Sequence, residues 1–159
     1  MWKVIGVIVL LVAIIGGISR CVANPERGDS GEVVEAGTEA VLDIRQGDCL
    51  PKFMADTSTI VSEDIPVVPC SDPHVHEVFG VADSTAESFN ESAIGTEAEN
   101  YCLNAFTSYV GVNYDNSELI FFSLIPTSSS WGQGDREITC LLANSEESTV
   151  TGSFKGSGK

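Results

Sequence analysis

A chain of 159 residues has room for one folded domain and a short appendage, and not for two domains of ordinary size. Eight Lys and Arg stand against 23 Asp and Glu, a formal net charge of −15. Nucleic acid and anionic lipid are held largely through Lys/Arg contacts to phosphate, so a surface of this sign repels both, and nucleic-acid binding is excluded.

Val4 to Ile18 runs without a polar residue, and Met1 and Trp2 extend it with only Lys3 between. That length meets the lower limit of a membrane-spanning helix. Trp2 suits the lipid–water interface, and Lys3 and Arg20 can reach opposite headgroup layers. Residues 1–20 are therefore expected to be a transmembrane signal anchor. A cleaved signal peptide ending in the small residues near Ala23 is one alternative. Lipidation of Cys21 is another, and Arg20 stands where a small residue should precede the lipidated cysteine. The bases on the two flanks nearly cancel, so they do not set the orientation.

From residue 21 to residue 40 the composition turns acidic and small, as in Asn24-Pro25-Glu26-Arg27-Gly28-Asp29. This reads as a flexible acidic linker. The tripeptide Arg27-Gly28-Asp29 matches adhesion ligands by accident at that length.

Residues 41–143 carry the patterns of a folded domain. Weak alternation through Val41, Leu42 and Ile44 predicts a first strand closing at Gly47-Asp48-Cys49-Leu50. Ile65 to Cys70 predicts a short edge strand, because Pro66 and Pro69 cannot donate to a ladder. Ser71-Asp72-Pro73 is a turn signal, and Val75 to Val81 resumes as a strand, giving an expected hairpin. Thr96 and Glu99 have capping-box spacing. Ala98, Cys102, Phe106 and Tyr109 then recur at helical intervals up to Gly111, a natural stop. That stripe puts Cys102 on the buried face, within reach of a strand cysteine. Leu119 to Ile125 is an apolar strand closed by Pro126. Glu137 to Ala143 alternates, with Ile138, Cys140 and Leu142 on one face. The Ser/Gly/Lys-rich segment 144–159 is expected to fray. The fold class is α+β: a small, mainly antiparallel sheet with one packed helix.

Cys49, Cys70, Cys102 and Cys140 are spread across this domain behind an export-like segment, which reads as two disulfides. Three pairings are open, and spacing does not choose among them. Cys49–Cys70 with Cys102–Cys140 closes short loops and is weakly favoured on that ground. Disulfides place the domain in an oxidising compartment, with the anchor's N-terminus inside the cell. The absence of Cys-x-x-Cys disfavours a thioredoxin-like site and a zinc ribbon.

Four features in order carry a resemblance: Gly47-Asp48-Cys49; Val68-Pro69-Cys70-Ser71-Asp72-Pro73-His74 with Glu77-Val78-Phe79; the helix around Cys102; and Pro126-Thr127, Ser130-Trp131 and Gly134-Asp135-Arg136 running to Cys140. In this the chain resembles the septum-formation family of actinobacterial membrane-anchored envelope proteins, from about Asp43 to Leu142. The resemblance implies a link to the division septum or cell-wall assembly and implies neither a reaction nor a cofactor. His74, Glu77, Trp131, Asp135 and Arg136 match the family pattern and form the candidate functional surface; His76 falls at a variable position.

No set of these residues forms a convincing catalytic constellation. His74-x-His76 near Cys70 suits zinc by residue type, but a disulfide consumes Cys70 and no fourth ligand is spaced to help, so no metal is expected. On a strand, His74 and Glu77 at i and i+3 point to opposite faces. A nucleophile would have to come from Ser128 to Ser130, and no Gly-x-Ser-x-Gly is present. Arg136 is expected to pair with Asp48, Glu77 or Asp135. Trp131 is expected to lid the small core, the alternative being a stacking platform for a wall sugar. The resulting expectation is a non-enzymatic, membrane-tethered extracytoplasmic module binding an envelope or divisome protein or cell-wall glycan. The alternative is a cell-wall-acting hydrolase using His74 and Glu77.

Overall fold

The computed structural model describes residues 24–51 and 65–159. The expected anchor lies outside the described residues, and among those described no helix is long and apolar enough to cross a membrane.

The central element is a four-stranded antiparallel sheet. Its strands are β4 (Cys49–Leu50), β6 (His76–Asp83), β7 (Leu119–Leu124) and β8 (Glu137–Asn144), in the order β4-β6-β8-β7. Helix α1 (Glu91–Val110) lies across one face. There Phe79, Phe106, Cys102, Cys140, Ile138 and Leu142 form the main core. Fully burying each such Phe or Leu contributes about 2 kcal/mol.

The opposite face is also covered. Val78 and Leu141 point to it and pack with Val33, Ile44, Leu50, Ile65 and Val67. This explains why β8 reads Ile-Thr-Cys-Leu-Leu-Ala, with Ile138 to Ala143 all buried: a strand between two covered faces has no need of a polar side.

That second layer corrects the expectation of a flexible linker over 21–40. Its described part forms β1 (Glu26–Arg27), β2 (Val33–Glu35) and β3 (Gly37–Glu39). Strand β1 pairs with β2, and β3 pairs with β5 (Ile65–Val67). The expected hairpin between 65–70 and 75–81 is thereby overturned, because β5 spends its ladder on β3 while β6 pairs with β4 and β8. The expected first strand is interrupted by a 3-10 turn at Val41–Asp43, and of its residues only Cys49 and Leu50 join a sheet.

Helix α1 starts earlier than the capping-box spacing suggested. Asn90 is its cap, accepting from the Ala93 N–H at 3.0 Å, while Thr96 Oγ1 donates to Ser92 O inside the helix. Gly111 ends it in the left-handed region at φ 90°, as expected. Strand β6 shifts register between Val78 and Gly80, and Gly80 lets the helix close in. An added Cβ there would meet Tyr101 Cε1 at 3.3 Å and Cys140 Sγ at 3.4 Å.

Both disulfides join the cysteines that close short loops. Cys49–Cys70 links β4 to the loop after β5, and Cys102–Cys140 pins α1 to β8, with Cα separations of 5.2 and 5.7 Å. The segment 144–159, expected to fray, is packed instead. Val150 exchanges backbone hydrogen bonds with His74, and the Gly152 N–H donates to Cys70 O. The Gly156 and Gly158 N–H groups donate to Tyr109 O and Val110 O, and Phe154 is buried in the main core. One aromatic residue supplies the apolar area that the surrounding Ser, Gly and Lys lack.

Candidate functional site

Strand pairing sets Cys49 directly opposite Glu77. His74 sits just before β6, in an isolated bridge to Val150, so the i, i+3 rule for a continuous strand does not govern it. Its Nδ1 lies 2.8 Å from Asp72 O; a carbonyl only accepts, so Nδ1 carries the proton. The result is convergence where opposite faces were expected: atoms of Cys49, His74 and Glu77 lie within 4.8 Å of one another, all buried.

Glu77 is fully buried, and three donors satisfy it: Tyr109 Oη at 2.6 Å, Ser153 Oγ, and the Phe154 N–H at 2.6 Å. No Lys, Arg or His nitrogen among the described residues lies within 4.0 Å of it. A buried carboxylate is costly unless its lone pairs are filled, and here the C-terminal segment fills most of them. Burial, followed by the charge of Glu77, pushes the Tyr109 phenol far above its usual range, so it remains a donor. Sequence spacing gave no hint of Ser153 or Phe154, which lie 76 and 77 residues away.

This arrangement ties the C-terminal segment and helix α1 to β6. The Cys49 sulfur is committed to its disulfide. That leaves His74 and Glu77, fewer than the three or four protein ligands of a zinc site. The Nε2 of His74 has no hydrogen-bond partner among the described residues, and neither ring nitrogen of His76 has one. His76 is outside the convergent group. It packs edge-on against Phe122, with Glu147 at 3.8 Å. Burial holds its pKa below the usual value, opposed by the charge of Glu147.

Trp131, Asp135 and Arg136 form a separate cluster. Trp131 lies in the short helix α2 (Ser128–Gly132), buried against Phe89. Ser130, one of the conceivable nucleophiles, is tied into a capping box with Thr127. The Arg136 guanidinium stacks on the Trp131 ring at 3.6 Å and donates to Trp131 O and Asp135 O. The expected ion pair of Arg136 with Asp48, Glu77 or Asp135 is not formed. Asp135 Oδ1 accepts from the Glu137 N–H instead. Asp48 is taken by a residue that sequence reasoning passed over: Arg27 grips it through Nη1 and Nη2 at 2.7 and 2.9 Å and also binds Glu39. A lone base amid the acids of the 21–40 segment was the available signal.

Beside the buried group opens a cleft of about 570 Å³, bounded by the β1–β2 turn, residues 45–47, residues 69–71, and Tyr109 with Ser153 and Lys155. A family profile described as Septum formation matches residues 46–159. The chain belongs to the septum-formation family. Membership points to a part in cell division. The matched span runs through the packed C-terminal segment, so the septum-formation domain includes the donors that close over Glu77. The layer formed by β1 to β3 lies outside that span. No curated protein and no solved structure matches the chain.

Proposed function

We propose that this septum-formation domain works as a non-enzymatic interaction or cell-wall-binding module, tethered to the cell membrane by residues 1–20 and lying on its outer face. One observation carries the non-enzymatic part. His74 and Glu77, the acid–base candidates, are sealed under the C-terminal segment, with Glu77 engaged by three donors of the protein itself. A general acid or base needs hydrogen-bond reach to a substrate proton, and the folded state withholds it. Support for the placement comes from the apolar run Val4 to Ile18 and from two disulfides, which persist in oxidising compartments.

Ser145 is exposed in the turn after β8, so a Ser145→Cys variant of the full chain tests the placement. Labelling of that thiol in intact cells by a membrane-impermeant maleimide is expected, beyond any labelling of Cys21 in the parent chain. Labelling only after lysis overturns the placement. In parallel, purified full-length protein is incubated with insoluble cell wall. Co-sedimentation without release of soluble fragments fits the module; release of fragments overturns it in favour of a wall-acting hydrolase.

A further inference from the structure

The described residues include five Lys and Arg among many carboxylates. Arg27 is paired with Asp48 and Glu39, Arg136 is stacked on Trp131, and Lys159 does not line the cleft. Arg45 and Lys155 remain, and neither lies within 4.0 Å of a carboxylate among the described residues. Lys155 Nζ stands 6.0 Å from the centroid of the Tyr109 ring, and both of these cations line the cleft beside the buried site.

That cleft is also rigidly backed. Tyr109 and Ser153 are fixed by Glu77, Cys70 by its disulfide and by the Gly152 N–H, and Gln46 by a hydrogen bond to Phe79 O at 2.7 Å. Fixed walls reduce the ordering cost of binding. At about 570 Å³ the space falls within the range of small-ligand sites. The β1–β2 turn contributes Glu32, the one carboxylate among the residues lining the cleft, whose Oε2 accepts from Ser30 Oγ, with Val33, Pro69 and the Tyr109 ring as apolar surface.

We infer that this cleft binds a small zwitterion of the amino-acid or short-peptide type. Its carboxylate sits at Arg45 and Lys155, and its ammonium group faces Glu32. The chain's net charge of −15 supports this choice over other anions. Long-range repulsion disfavours polyanions and phosphates, whereas a zwitterion has no net charge to repel and is oriented by local charges of both signs. The inference deepens the module reading by naming the chemistry that the module takes, and it rests on that reading.

The test uses the full chain in nonionic detergent at low ionic strength, titrated calorimetrically with glycylglycine. Saturable binding in about the millimolar range is expected. N-acetylglycine, which lacks the ammonium, and glycinamide, which lacks the carboxylate, should each bind at least about threefold more weakly, as expected for partly exposed charge contacts. Arg45→Gln and Lys155→Gln, both on exposed residues, should each weaken binding about three- to tenfold with unchanged thermal unfolding. Absence of saturable binding, equal affinity for inorganic phosphate or N-acetylglycine, or an unaltered affinity in both variants overturns the inference. A protein that binds no zwitterion yet still co-sediments with cell wall refutes this inference and leaves the module reading standing.

Discussion

Replacing Glu77 by Gln tests whether the buried carboxylate holds the C-terminal segment in place. The two donors on Oε1, from Tyr109 and Ser153, can be kept by the amide oxygen. The new NH2 then confronts the Phe154 N–H, donor against donor. Losing that charge-assisted hydrogen bond costs about 2 kcal/mol, and reducing the other two to neutral bonds costs about 1 kcal/mol each. Removing a buried charge returns part of this, leaving a net loss of about 3 kcal/mol. For a domain of this size, that lowers the melting temperature by about 15 °C. Flipping the amide is worse, since it sets two donors against the NH2. The assay is thermal unfolding at neutral pH together with amide hydrogen exchange at Phe154, Gly156 and Gly158, which should lose protection before the sheet does. A variant within about 1 kcal/mol of the parent, with these amides still protected, refutes the reasoning.

Further substitutions probe the rest of the frame. Arg27→Ala leaves Asp48 buried without its cation and should cost about 3 kcal/mol by denaturant titration, with Asp48→Asn in the same chain recovering part of the loss. Gly80→Ala pushes a methyl against Tyr101, Ala105 and Cys140, and should cost about 1–3 kcal/mol in the same assay. His76 is held below its usual pKa by burial, so as pH falls the unfolded chain takes up the proton first. Stability should therefore decline on the acid side of about pH 6.5, and His76→Leu should flatten that part of the curve.

Elements set by local periodicity were legible in the sequence. The stripe through Ala98, Cys102 and Phe106, the stop at Gly111, and the strands around Phe121 and Cys140 all fall where their patterns put them. Boundaries that depend on a single side chain were less so, and the Asn90 cap outranked Thr96. What the sequence concealed is long-range. Segment 24–40 reads as a linker because its few apolar residues, Val33 chief among them, act only once β5 and β8 are beside them. The C-terminal segment hides for the same reason, since Phe154 and Ser153 meet their partners across more than seventy residues. His74 and Glu77 converge because His74 still belongs to the turn that Ser71-Asp72-Pro73 signals and precedes β6, so the strand's i, i+3 rule does not reach it.

The closure of Glu77 by Ser153 and Phe154 also sets an order of events for a chain that is made N-terminus first. Cys49, Cys70 and Glu77 are all made long before Phe154, so the carboxylate lacks its Ser153 and Phe154 donors until those residues follow. The domain therefore cannot reach its final state by growing from one end. Its last few residues complete the interior, and a fusion joined at Lys159 starts within five residues of the side chain that fills it.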